Sequence, residues 1–320
     1  MNAIVCTKYG SPDVLRLKEV VTPTPRHNEV RIKIFSTAVT ASDCIVRGFN
    51  LPPWHPMGLM MGLVMGFSKP RNPILGMVLA GEVESAGKDV QRFKKGDQVF
   101  ASTVKSPIQM RFGTYAEYIC LPEDWMVASK PSNVTYEEAA AIPYGGMLAL
   151  HFLRKGNIQS GQNVLVYGSS GAIGTAAVQL ARHFGARVTG VCGAANLELV
   201  KSLGADTVID YTQEDFTSRG DRYDFIFDAV GKKKSQRFAS KSQCSKALTP
   251  NGKYISVDDG SPKPRLEDLL LLKELAEAGK IKPVIDRRYP LEQTAEAHRY
   301  VEQGHKKGNV IITVEHRPKP

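Results

Sequence analysis

From residue 1 to about 127 the apolar positions fall in short β-branched runs broken by glycine and proline, as in VRIKIF (30–35), MVLAGEVESAG (77–87) and GDQVFAS (96–102). Runs of this length between turn formers read as strands. The opening MNAIVCTKYG alternates in the same way, so this portion is expected to be an irregular, mostly-β domain. From about Thr135 the pattern changes. A long helical stretch, YEEAAAIPYGGMLALHFLRKG, is followed by the strand NVLVYG, the helix AIGTAAVQLARHFG, the strand ARVTGVCG, the helix NLELVKSLG and the strand DTVIDY. Strands alternating with helices imply a parallel sheet covered by helices. YDFIFDAVG (223–231) and GKYISVDDG (252–260) supply two more strands, LEDLLLLKELAEAGK (266–280) a helix closed by Gly279, and NVIITV (309–314) a last strand.

The junction between NVLVY and its helix carries the clearest chemistry. Gly168, Ser169, Ser170, Gly171, Ala172, Ile173 and Gly174 form a glycine turn between a strand and a helix. Such a turn lets backbone approach a pyrophosphate, and the helix N-terminus presents free N–H groups to it. A second strand follows about 20 residues later, where a dinucleotide fold places it. A carboxylate ending that strand would hold a ribose 2′-hydroxyl. Here residues 190–196 read GVCGAAN, with no acid before Glu198. A 2′-phosphate is therefore tolerated and NADP(H) is favoured over NAD(H), with Gly193, Asn196 and Tyr211 expected at the adenosine end. Val230 and Val257, near the ends of later strands, complete the expected cofactor contacts.

Composition narrows the class without changing this picture. The 320 residues are 42% hydrophobic and 23% charged, ordinary for a globular chain of about two domains, and the formal net charge is +10. The five cysteines (Cys6, Cys44, Cys120, Cys192, Cys244) form no CxxC pair, which points away from a disulfide framework and towards a reducing compartment. No leader pattern opens the chain, so a cytoplasmic location is expected. The longest nearly uncharged apolar stretch, 56–67, is too short to span a bilayer.

Taken in order, GEVESAGKDVQRFKKGDQVF, GTYAEYICLP, GSSGAIGTAAVQLARHFGARVTGV, LVKSLGADTVIDY, FDAVG and GNVIITV resemble the medium-chain dehydrogenase/reductase superfamily over nearly the whole chain. The likeness is to its zinc-free quinone oxidoreductase-like branch, which includes NADPH-dependent enone reductases. It implies an α/β protein: a GroES-like pinched β-barrel from residues 1–127 and 284–320, and a doubly wound Rossmann domain from 128–283. It implies hydride transfer to a quinone or to the C=C bond of an α,β-unsaturated carbonyl. By position in the family pattern, Thr40, Ser42, Asp43 and Tyr144 are candidates to orient that acceptor. The alternative reading is a nucleotide-binding protein with little turnover, acting through basic surface on nucleic acid or a membrane. The run from Lys232 to Arg237, extended by Lys241 and Lys246, would supply that surface, but no aromatics interleave it, so a nucleic-acid partner is not expected.

Zinc-dependent members of the superfamily hold a catalytic metal with Cys, His and Cys. At the corresponding places this chain has Thr40, Met77 and the stretch Pro143–Gly145, and the four-cysteine lobe of a structural zinc is missing. Thiolate, imidazole and carboxylate are what bind zinc. His55, His151 and His183 are lone histidines, and no metal is expected. Without a Lewis acid, alcohol oxidation loses its main stabiliser, whereas a conjugated acceptor delocalises the incoming charge itself.

The chain departs from its relatives at several places. An asparagine commonly stands where Thr40 does, a threonine where Leu148 does, and Ser followed by Lys or Arg where Gly193 and Ala195 do. Between Val257 and Leu266 only about eight residues replace a helix and a sixth sheet strand, so the family's oligomeric state does not carry over. The Met-rich stretch 56–67 reads either as a lid over a hydrophobic acceptor or as a helix packed by its glycine face.

Overall fold

The computed structural model describes residues 1–49, 56–106, 109–231, 240–260 and 262–316. The β-rich domain contains β1 (Asn2–Cys6), β2 (Leu15–Glu19), β3 (Glu29–Val39), β4 (Val78–Ala86), β5 (Gln98–Ser102), β6 (Val104–Ser106), β7 (Gln109–Met110), β8 (Tyr118–Pro122) and β9 (Met126–Ser129). It also holds helices α1 (Ala41–Gly48) and α2 (Pro56–Met65). The long α3 (Tyr136–Gly156) leads into five strands, β10 (Asn163–Tyr167), β11 (Arg187–Cys192), β12 (Thr207–Asp210), β13 (Tyr223–Asp228) and β14 (Leu248–Ser256). Among these lie α4 (Ala172–His183), α5 (Leu197–Ser202) and α6 (Lys241–Lys246), and α7 (Leu266–Glu277) follows. The chain then returns to the first domain with β15 (Ile285–Pro290), α8 (Thr294–Glu302) and β16 (Asn309–Thr313).

β12-β11-β10-β13-β14 form a parallel sheet in that order, the arrangement expected from alternating strands and helices. Five strands are found among the described residues, with β14 at one edge, so the shortened 257–266 stretch adds none to it. In the other sheet β3 is central. It pairs antiparallel with β4, β8 and β16, while β5 carries β9 on its far side. The expected division after residue 127 runs through β9, which pairs with β5 up to Ser129, so the crossing to the second domain lies beyond that strand.

Helix α3 joins the two halves. Thr135 caps it through a reciprocal box with Glu138, and Asn157 ends it in the left-handed region at φ 54°. Its apolar face packs on β3, β4 and β5 of one sheet and on α4 beside the other. A buried cluster running from Phe100 and Ala128 through Leu150 and Phe152 to Val166 and Phe227 makes the two domains share one core.

Candidate functional site

Gly168, at φ +77°, turns the chain out of β10, and a side chain here would strike Val230. Gly174 lies one helical turn into α4 with its Cβ position 2.1 Å from the Gly168 carbonyl, a distance only glycine permits. The turn is thus pressed against the helix, and α4 starts at Gly171 with no side-chain cap over its first N–H groups. Those donors face a cleft of about 530 Å³. Of the residues expected to hold the cofactor, Gly168, Ser170, Gly171, Ala172, Ile173, Gly193, Asn196, Tyr211 and Val230 line it. Ser169 instead points inward, its hydroxyl donating to the Val191 carbonyl at 3.0 Å, and Gly174 acts by close packing. Val257 is not among the lining residues: its N–H bonds the Asp228 carbonyl at 2.9 Å and its side chain packs on the core.

The cleft is built to receive polar ligand atoms. Asn196 donates to the Ser170 hydroxyl at 3.4 Å and leaves its buried Oδ1 without a partner among the described residues. The opposite wall was not legible in the sequence. Gly304, His305, Lys306 and Lys307 border the cleft because the Gly308 N–H bonds the Ser170 carbonyl at 2.8 Å, docking the C-terminal loop on the glycine turn.

A second cavity, about 330 Å³, lies beside the first. Four methionines (Met65, Met77, Met110, Met147) line it with Ile45, Val46, Val78, Val104 and Leu148, and Gly260, Pro262 and Pro264 of the shortened loop border it. Its polar lining is Ser42, Ser102, Tyr144 and His151, with no Asp, Glu, Lys or Arg among the described lining residues. Burial and the nearby Lys155 hold His151 below the ordinary imidazole range, so it stays neutral at pH 7.

Tyr144 lines both spaces. Its hydroxyl is 3.0 Å from that of Ser42, and burial raises its pKa, keeping the phenol protonated. Thr40 and Asp43 are not on the lining. They form the capping box that starts α1: the Asp43 carboxylate Oδ2 accepts from the Thr40 N–H at 2.8 Å and its hydroxyl at 2.6 Å, and the Asp43 N–H donates back to Thr40 Oγ1 at 3.1 Å. Both are buried. They act on the site by fixing the turn of helix that carries Ala41 and Ser42.

The three places where zinc ligands would stand hold a hydroxyl engaged by Asp43, the thioether of Met77 and a phenol engaged by Ser42. None is a thiolate, imidazole or carboxylate, so these residues do not fit the metal. Among the described residues no group of three or more His, Cys, Asp or Glu is placed to hold an ion. His55 and the basic run Lys232 to Arg237 lie outside the described residues, while Lys241 and Lys246 are exposed on α6. In α2 the side chains of Met57, Met60 and Met61 are likewise outside them. Gly62 is buried under the ring of Phe67, just past the end of the helix, and Met65 reaches the cavity wall. No described helix is long and apolar enough to cross a membrane.

Residues 26–132 match the alcohol dehydrogenase GroES-like domain, and residues 172–276 and 260–312 match two zinc-binding dehydrogenase models. The chain is 34% identical to a 2-methylene-furan-3-one reductase of Solanum lycopersicum, over 98% of its own length and 79% of the relative's. It is 31% identical to a chloroplastic NADPH-dependent alkenal/one oxidoreductase of Arabidopsis thaliana, with the same coverage. Among solved structures, an NAD-dependent alcohol dehydrogenase superposes with a TM-score of 0.84 at 28% identity, covering 98% of this chain and all of that one. The quinone oxidoreductase of Coxiella burnetii superposes with a TM-score of 0.81 at 25% identity, covering 98% and 99%.

Proposed function

Because the chain belongs to the quinone oxidoreductase-like branch of the medium-chain dehydrogenase/reductase superfamily and is an oxidoreductase, we propose that it reduces uncharged, hydrophobic enones or quinones with NADPH, without zinc. The observation that carries this reading is the position of Tyr144, whose side chain borders both the nucleotide cleft and the apolar cavity. An acceptor in the cavity lies against one side of it and the cofactor against the other.

The glycine turn and the α4 N-terminus would hold the pyrophosphate, with Gly193, Asn196 and Tyr211 around the adenosine ribose. When bound, the nicotinamide supplies the hydride. Tyr144, held by Ser42, donates a hydrogen bond to the acceptor oxygen on which negative charge builds, and its raised pKa keeps that proton available. The apolar wall excludes water and charged acceptors, and the methionines adapt to acceptors of different outline. The name of the Arabidopsis relative and the lack of an acid at the end of β11 support NADPH over NADH. Five unbridged cysteines support a reducing compartment such as the cytoplasm.

Calorimetric titration with NADPH and NADH, followed by assays of NADPH oxidation with an enone, a quinone and a simple ketone, tests the proposal. Tighter NADPH binding and turnover of the conjugated acceptors alone are expected. Binding without turnover of any acceptor would leave a nucleotide-binding protein and overturn the reductase reading.

A further inference from the structure

Helix α2, PMGLMMGLVM, has no charged residue along its length. A helix of that composition belongs in a core or against another apolar phase. Its outer side is not in a core: Leu59 and Leu63, one turn apart, are 49% and 56% exposed. Gly66, at φ +102°, then reverses the chain so that the Phe67 ring folds back over Gly62 and remains 49% exposed. Ile45 of α1 is 65% exposed, and Ile45 and Met65 both line the acceptor cavity, so this apolar side of the molecule runs into the cavity wall. Exposed Lys69 and Arg71 stand two and four residues after Phe67, in a chain of net charge +10.

We propose that this face docks on an anionic lipid bilayer, with Leu59, Leu63 and Phe67 entering the interface and Lys69 and Arg71 meeting the head groups. Apolar side chains beside cations are the two signals that together give stable interfacial binding. A second copy of the chain suits the face less well. Two-fold pairing would bring the same cations together. The surface stands without the reductase reading; where both hold, a lipophilic acceptor reaches the cavity from the apolar phase beside it.

The test is co-sedimentation of the full chain with phosphatidylcholine vesicles, with and without phosphatidylserine, for the parent and the Leu63→Glu/Phe67→Glu variant. The parent is expected on the anionic vesicles only, less so as salt rises, and the variant's partition coefficient is expected to fall by about tenfold or more. Hydrogen exchange of the parent provides a reading independent of any variant: amides over 59–67 are expected to slow when anionic vesicles are added. Absence of parent binding, unchanged exchange in 59–67, equal binding by the variant, or a concentration-dependent dimer that the variant abolishes would each overturn the assignment.

Discussion

The hydroxyl of Ser42 lies 3.0 Å from that of Tyr144, joining the first turn of α1 to the middle of α3 at the border of the two cavities. Either oxygen can donate, but only Tyr144 borders the nucleotide cleft as well as the acceptor space. Replacing a donor aimed at developing negative charge typically costs on the order of 100-fold in turnover. Tyr144→Phe is therefore expected to lower kcat with an enone by about 10- to 100-fold while leaving NADPH affinity within about twofold. Ser42→Ala, which loses only the orienting partner, should cost a few-fold. Steady-state kinetics and calorimetry decide it, and a Tyr144→Phe enzyme with parental kcat would remove the phenol from the chemistry.

Ala195 is exposed on the rim of the nucleotide cleft, one residue before Asn196 and close to Gly193 and Tyr211. No Lys or Arg stands in 190–196. Ala195→Lys is expected to tighten NADPH binding by about tenfold, the effect of one charge-assisted contact with a 2′-phosphate. NADH affinity should stay unchanged, since it lacks that phosphate. Equal tightening for both cofactors would mean that the new cation meets the pyrophosphate instead.

Much of this site was legible because it depends on local backbone chemistry. A strand ending at Tyr167, glycines at 168, 171 and 174 and a following amphipathic helix permit few other arrangements, and the structure places them as the spacing implied. Thr40 and Asp43 show the limit of position in a pattern. Their spacing of three marks a capping box as readily as an acceptor contact, and burial decides for the cap. The loop bearing His305, Lys306 and Lys307 was not legible, because its approach to the cleft depends on a bond between Gly308 and Ser170, 138 positions apart in sequence, for which no local signal exists. Val257 follows the end of β14 in a turn, close to the cleft in sequence, and its side chain packs against the core rather than on the cleft lining.

Removal of metal offers a direct check on the donor set. With Thr40, Met77 and the stretch Pro143–Gly145 where the zinc-dependent members have ligands, exhaustive treatment with a chelator is expected to leave NADPH-dependent turnover unchanged. The purified protein should contain zinc well below one equivalent by elemental analysis. Loss of activity on chelation, restored by zinc, would refute the zinc-independent reading.

Two buried groups, Asp43 of α1 and His298 of α8, titrate with opposite consequences. Asp43 is pushed up to about 6 from an ordinary 3.8, chiefly by burial and despite its bonds from Thr40. His298 is held down at about 3 from 6.5 by burial and by Arg47, whose Nε donates to His298 Nδ1 at 3.3 Å; the other ring nitrogen bonds the Tyr115 hydroxyl at 3.2 Å. Glu302 pairs with the same guanidinium, and Cys44 sits 3.4 Å from His298 Nδ1. The folded state favours a protonated Asp43, so that contribution is full below 3.8 and is lost as pH rises through 6. It favours a neutral His298, a contribution full above 6.5 and lost as pH falls through 3. Across the overlap, from about pH 4 to 6, the two slopes oppose, each approaching about 1.4 kcal/mol per pH unit. Asp43→Asn, which keeps an acceptor for Thr40, should therefore make unfolding free energy drop more steeply on acidification than in the parent. His298→Gln, which keeps an acceptor for Arg47, should flatten or invert the slope. Urea unfolding at a series of pH values measures both, and identical slopes in the parent and the two variants would show that neither group is perturbed in the folded state.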